Sequence, residues 1–268
     1  MAEKWEELIA FFTEKGVSRG LAITYIIVSA VLVVMAIVAL VMRIVVIVKY
    51  HEGNAQKTKN GKTSSQVARE ALDKAGLKHI RVEKAGWLRA FFIGNCYSIS
   101  HKTIYLRGSI YNKDSITAVG LALQKVGQAK MCEEGDGLTR TRNIMQILSL
   151  IGPIMFVPVV LLGFVLDFAL FSVFGVFSVV GIAVGFVLVF AGLISILLNL
   201  PVEKRANTYA LKLVKETGVL DAQEQEVLKK VFDAYIVAYV CEFLVAILRI
   251  VQIVLEIVMN VQISNNKS

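Results

Sequence analysis

Apolar positions along this chain gather into long unbroken runs, separated by segments of mixed pattern. The longest run covers 144–200, where the one charged residue is Asp167. A bilayer hydrocarbon core of about 30 Å takes roughly 20 helical residues. The run is therefore too long for one membrane-spanning helix and suits two. Spans are predicted near Ile144–Leu166 and Phe174–Leu200, with a turn around Asp167. Ala22–Val48 forms another span with Arg43 near one end, and Ala234–Asn260 a fourth candidate carrying Glu242, Arg249 and Glu256. Those three charges recur every seven residues, and at about 100° per residue they share one helix face. That face is read as packing on the protein's own cytoplasmic domain, or the helix as partly interfacial, with a seam to a partner helix and an ion or proton path as the alternatives. Gly181-x-x-x-Gly185 is a small-residue pattern that lets helices approach closely.

Between the runs the periodicity changes. Residues 51–63 (HEGNAQKTKNGKT) read as a polar, flexible tether. A helix is expected after Ser64 or Ser65, which are good N-caps, with Val67, Ala71 and Leu72 on its buried face and a stop at Gly76. Residues 79–84, 96–100 and 103–107 alternate as strands do. The last two are expected to pair as a hairpin around His101-Lys102, and Thr103–Arg107 to lie at an open edge. A second helix begins at Asp114 or Ser115 and runs to about Glu134. Near the start of the chain, Trp5, Leu8, Ile9 and Phe12 fall at helical spacing and predict an amphipathic helix on a membrane surface. The acidic Glu3, Glu6 and Glu7 there do not suit a signal peptide.

Composition narrows the class. Hydrophobic residues make up 56% and charged ones 19%, against roughly a quarter charged in ordinary soluble domains; the chain is neither a soluble globule nor disordered. The net charge is +8, and it is concentrated: residues 49–143 hold 17 Lys and Arg against 8 Asp and Glu. Basic loops stay on the cytoplasmic side, which predicts a cytoplasmic 49–143, an external Asp167 turn and an external N-terminus. The same orientation accounts for the basic excess, and no basic stripe interleaved with aromatics points to nucleic acid. Cys96, Cys132 and Cys241 match no metal-binding spacing and are read as unpaired thiols. Gly61-Lys62-Thr63 resembles the end of a phosphate loop, but Gln56 stands where that loop needs glycine.

The helix of 114–134 is where chemistry is expected. Zinc peptidases carry H-E-x-x-H on such a helix, the two histidines on one face as ligands and the glutamate as base. Here the five residues are Gln124, Lys125, Val126, Gly127 and Gln128. With the Ser65–Leu77 helix, KTIYLRGSIYNKDSITAVGLA, LNLPVEKRANTYALKLVKETGVL and the last apolar segment, this stretch resembles the YugP-type membrane zinc metallopeptidases from about Ser64 to about Val258. The resemblance places the family's zinc histidines at Gln124 and Gln128 and its catalytic glutamate at Lys125. Gly127 and Ala129 match the pattern, and the third ligand corresponds to Glu203. It also implies that Lys125 and Glu203 lie close enough to form an ion pair.

The expected architecture is an α+β, predominantly helical membrane protein. An amphipathic segment (1–21) precedes a transmembrane helix (22–48). A zinc-peptidase-like cytoplasmic domain with a small sheet follows, in two parts (49–143 and 201–233) interrupted by a transmembrane hairpin (144–200). A transmembrane or interfacial helix (234–260) and a tail (261–268) complete it. A glutamine amide is a poor zinc ligand and a lysine repels a dication, so no catalytic or metal residues and no cofactor are expected. His51, His79 and His101 form no i,i+4 pair that could replace the lost ligands. The expected function is that of a pseudopeptidase at the bacterial plasma membrane. It would bind peptides, membrane proteins or an active peptidase relative, with the lipid bilayer as its surroundings and no nucleic-acid partner. The alternative is a divergent peptidase with a rearranged zinc site.

Overall fold

The computed structural model describes the backbone of residues 2–171 and 175–266, and their side chains except at 2, 146–157, 171, 189 and 193. The chain is predominantly helical with one small sheet. In order the elements are α1 (Ala2–Thr13), α2 (Arg19–Ala55), α3 (Ser64–Lys74), β1 (Arg81–Lys84), α4 (Trp87–Phe92), β2 (Cys96–Ser98), β3 (Thr103–Leu106), α5 (Gly108–Tyr111), α6 (Ile116–Glu133), α7 (Gly137–Phe171), α8 (Val176–Thr217) and α9 (Ala222–Asn265). Among the described residues α2, α8 and α9 are long and apolar enough to cross a membrane, and Pro158–Leu170 within α7 is a shorter apolar helix. The chain divides into two compact units, 45–236 and the pair 1–44 with 237–268.

In the larger unit α6 is the centre. It is apolar almost all round, and such a helix must be enclosed on every side. The sheet, α3 and α8 enclose it, and Val119, Leu123, Val126 and Ala129 meet Val67, Leu72, Ile104 and Val214 in one core. Ser115 caps α6 by accepting from the Ala118 N–H. The cap of α3 is Thr63, one residue before the serines expected, because Gln66 completes a reciprocal capping box with it. Gly76 then ends that helix at φ +74°, a left-handed conformation that glycine adopts without steric cost.

The strand order is β1-β3-β2, with β1 and β3 parallel and β2 and β3 antiparallel. The hairpin turns at Lys102 as expected, but β3 is the central strand. Thr103–Arg107 is therefore not an open edge; the edges are β1 and β2. β3 is the most buried strand, so it takes the middle, where both faces and both sides are covered. Residues 51–63 are not a free tether either. His51–Ala55 continue α2, the Thr58 N–H donates to Asp114 O at 2.7 Å, and the Ser64 N–H donates to Lys113 O at 2.8 Å.

Glu133 ties the hairpin to the end of α6. It accepts from Lys102 Nζ at 2.6 Å and Tyr97 OH at 2.6 Å, with His79 Nε2 at 3.2 Å. Burial alone would raise this carboxyl; the three hydrogen bonds outweigh it and hold the group down at about 2, from an ordinary 4.5. A depressed carboxylate contributes stability that is complete above its unfolded value and is lost as pH falls through its folded value. Unfolding measured from pH 5 down to 2 should show that loss, and Glu133→Gln should flatten it. Equal pH profiles for the two chains would remove Glu133 from the account.

The turn expected around Asp167 is not at that residue: Asp167 lies inside α7, and residues 172–174 lie outside the described residues. The Asp167 carboxylate accepts from the backbone N–H groups of Gly175 (3.0 Å), Phe177 (3.1 Å) and Ser178 (2.6 Å). These are donors that the first turn of α8 cannot satisfy itself. A single acid in the apolar run thus has a local structural reason. A Cβ on Gly163 would overlap Phe177 O, and one on Gly181 would come to 2.9 Å from Val159 O. The small residues mark where α7 and α8 touch.

In the smaller unit the seven-residue series on α9 meets α2, not a polar domain. Arg43 pairs with Glu242 at 2.9 Å, Tyr25 OH donates to Glu256 at 3.0 Å, and Gln252 Nε2 reaches Ser29 Oγ at 3.3 Å. Two apolar helices can associate by sharing polar groups in this way, because lipid offers no competing partners. At the other end Ser18 N–H donates to Gln262 and Asn266 donates to Gly16 O. Ile9, Val17, Ala22 and Met259 are buried there, while Trp5, Leu8 and Phe11 of α1 remain exposed.

Candidate functional site

Gln124, Lys125 and Gln128 lie on α6, and all three are buried. They do not form a half-exposed polar face. They point at α8, whose Asn199, Glu203 and Asn207 recur at helical spacing of four. Gly127 makes the approach possible: a Cβ there would sit 2.9 Å from the Tyr209 ring and 3.3 Å from Ala206 O.

The site is built around one carboxylate. Glu203 is 1% exposed. Its Oε1 accepts from Arg142 Nη2 at 2.5 Å and from Gln128 Nε2 at 2.9 Å. Lys125 Nζ stands 3.6 Å from the same oxygen, an ion-pair distance rather than a hydrogen bond. Its ammonium donates instead to Gln128 Oε1 at 3.2 Å. Gln124 Nε2 donates to Asn207 Oδ1 at 2.5 Å, and Arg142 Nε donates to Asn199 Oδ1 at 2.9 Å. Glu203 Oε2 and Asn207 Nδ2 are buried without a hydrogen-bond partner. The closeness of Lys125 and Glu203 implied by the family resemblance is therefore present. Arg142, from the first turns of α7, takes the shorter bond.

Two cations thus share one anion. Arg142 holds its charge in any protein environment and is the nearer. Burial pushes the Lys125 ammonium below its ordinary value, Glu203 opposes that, and Arg142 reinforces it. Lys125 is the surplus charge.

Zinc is held by imidazole, thiolate or carboxylate. Against that requirement the position offers two amides, an ammonium and a guanidinium, all spending N–H groups on Glu203, Gln128, Asn199 or Asn207. Among the described residues no group of three His, Cys, Asp or Glu could hold a metal ion. Cys96 is within electrostatic reach of Lys125 and Arg142, and burial pushes its thiol up, away from the thiolate a metal would need. His79 and His101 are engaged elsewhere, with Glu133 and with Ser98 and Ser100. The donor set does not fit zinc.

Arg142, Asn199 and Asn207 were not expected from the sequence. The signal available was the Asn-x-x-x-Glu-x-x-x-Asn spacing across Glu203, together with a lone arginine two residues ahead of the charge-poor run. All three cysteines are free thiols, as expected.

A buried helix with Gln124, Lys125 and Gln128 on it, faced by a carboxylate from a helix that follows a long apolar run, is the arrangement of this membrane-type chain. The chain belongs to the family described as "Putative neutral zinc metallopeptidase", which matches it over residues 25–258. It is also similar to the "Putative membrane protease YugP" of Bacillus subtilis (strain 168), with 26% identity over 200 residues, covering 73% of this chain and 81% of that protein. No solved structure matches it.

Proposed function

We propose that this chain is a non-catalytic member of its family: a multi-pass protein of the bacterial plasma membrane whose cytoplasmic domain keeps the peptidase scaffold to bind peptide or protein. One observation carries the reading. The carboxylate at the family's third ligand position is neutralised by this chain's own cations, Arg142 at 2.5 Å and Lys125 at 3.6 Å. Internal positive charge stands where a metal's charge is otherwise required, so the scaffold holds together without one. Lys125 also replaces the carboxylate that would accept a proton from water, and an ammonium has no lone pair for that task.

The peptide-binding part rests on β2, an edge strand packed on α6. An extended peptide can add to such an edge through main-chain hydrogen bonds. The charge distribution supports a cytoplasmic location for 49–143 and 201–233, with 22–48, 144–166, 174–200 and 234–260 as spans.

The test is metal content and proteolysis on the full chain purified in detergent. Zinc far below one per chain is expected, with no chelator-sensitive cleavage of an unstructured protein substrate. About one zinc per chain, with cleavage that disappears in Glu203→Ala, would restore the enzyme reading.

A further inference from the structure

The short helix α4 has its polarity reversed. A helix on a water-facing surface turns apolar residues inward and charged ones outward. In α4 the one charged residue, Arg89, turns inward: its guanidinium lies over the Tyr105 ring at 3.7 Å, and its Nη1 is buried. Trp87 is 78% exposed and Phe91 74%, and Leu88 and Phe92 are exposed beside them. No residue of the helix is buried. Contiguous exposed aromatic surface of this kind marks a site that something else covers.

Two further observations say what covers it. First, residues 84–113, which contain α4, β2 and β3, carry Lys84, Arg89, Lys102, Arg107 and Lys113 and no Asp or Glu, and Glu83 of β1 is paired with Arg81. Lys84 lies against Gly108, and Arg107 against Gly94 just beyond α4. The patch is aromatic at its centre with Lys84, Arg89 and Arg107 about it, while Lys102 is engaged by Glu133 at the other end of β3. Second, β2, which follows α4, packs on α6, and α6 packs on α7, whose apolar run follows. Cys96, four residues past Phe92, is within electrostatic reach of Arg142. Arg142 bonds Asn199, and these two residues flank the inner ends of the apolar runs 144–166 and 174–200.

We propose that α4 is an interfacial anchor that docks on the anionic surface of the bilayer, with Trp87, Leu88, Phe91 and Phe92 among the acyl-chain ends and the surrounding Lys and Arg at the headgroups. Tryptophan and phenylalanine favour that depth, and basic side chains near it gain about 1 kcal/mol each from an anionic leaflet. Seated there, α4 holds the β2 edge beside the membrane, where it meets extended segments as they leave the bilayer. The inference rests on reading 144–166 and 174–200 as spans.

The chain has two tryptophans, so Trp5→Phe leaves Trp87 as the single reporter. This variant is reconstituted in nanodiscs of phosphatidylcholine and phosphatidylglycerol, with or without bromine on the upper acyl chain. A residue seated about 5–10 Å into the boundary is within reach of the bromine. Trp87 emission is expected to fall about twofold in the brominated discs and to resist acrylamide. Emission open to acrylamide and indifferent to bromine would overturn the proposal. Emission shielded from acrylamide yet indifferent to bromine would also overturn it, and would assign the patch to a protein partner. Failure of the chain to enter the discs is a separate outcome: it would overturn the reading of the spans and the proposal with it.

Discussion

Glu203→Gln is expected to destabilise the folded protein by about 3–5 kcal/mol, the range for removing one partner of a buried ion pair. The loss arises from what remains. Arg142 and Lys125 would be buried close together with no anion, and the acceptor that Gln128 and Arg142 share would become a neutral amide oxygen. Lys125→Met should behave in the opposite way. The ammonium is the surplus cation and already lies below its ordinary pKa through burial, so replacing it with an apolar side chain of similar length is expected to be neutral or stabilising. The informative comparison is the double variant. Glu203→Gln with Lys125→Met should be more stable than Glu203→Gln alone, because one of the two stranded charges is gone. Unfolding of the four chains in one detergent closes the cycle. Strictly additive effects would mean that Lys125 and Glu203 are neighbours without being coupled. Arg142→Met serves as the contrast, and should cost far more than Lys125→Met, since it also gives up the bond to Asn199.

Zinc should return when the motif is rebuilt. Gln124→His, Lys125→Glu and Gln128→His together place two imidazoles at i and i+4 on α6, with a carboxylate between them in the sequence and Glu203 opposite. Three protein ligands with one open position make a catalytic zinc site. Arg142 holds Oε1 of Glu203, but Oε2 has no partner and is the atom expected to bind. About one zinc per chain is expected in the triple variant, and a loss of that metal when Glu203→Ala is added. Hydrolysis is a separate question, because Arg142 then stands beside the metal. A triple variant that folds, yet binds no more zinc than the native chain, would show that α6 and α8 do not hold these positions at ligand distance. The scaffold would then be degenerate in geometry as well as in residue type.

Much of the architecture was legible because the signals were local. The two capped helices and the alternating strands each depend on near neighbours, and each formed close to where it was expected. So did the motif positions, since i and i+4 share a helix face wherever the helix is placed. The expectations that failed depended on partners distant in sequence. Residues 51–63 look like a tether until Lys113 and Asp114 bond their backbone. β3 looks like an edge until β1 pairs with it from the other side. Asp167 looks like a turn residue until the N–H groups of α8 bond to it. The stretch 85–95, containing α4, has no clear periodicity, because its apolar residues face outward.

By itself the sequence determined the membrane-type class and the family, since composition and residue chemistry carry these without coordinates. Only the tertiary structure decided which side chains surround Glu203. Arg142 lies 61 positions before Glu203, and no periodicity links the two. Their pairing depends on α7 and α8 packing beside α6. A buried carboxylate must find positive charge or hydrogen-bond donors somewhere, but chain folding alone selects which side chains supply them.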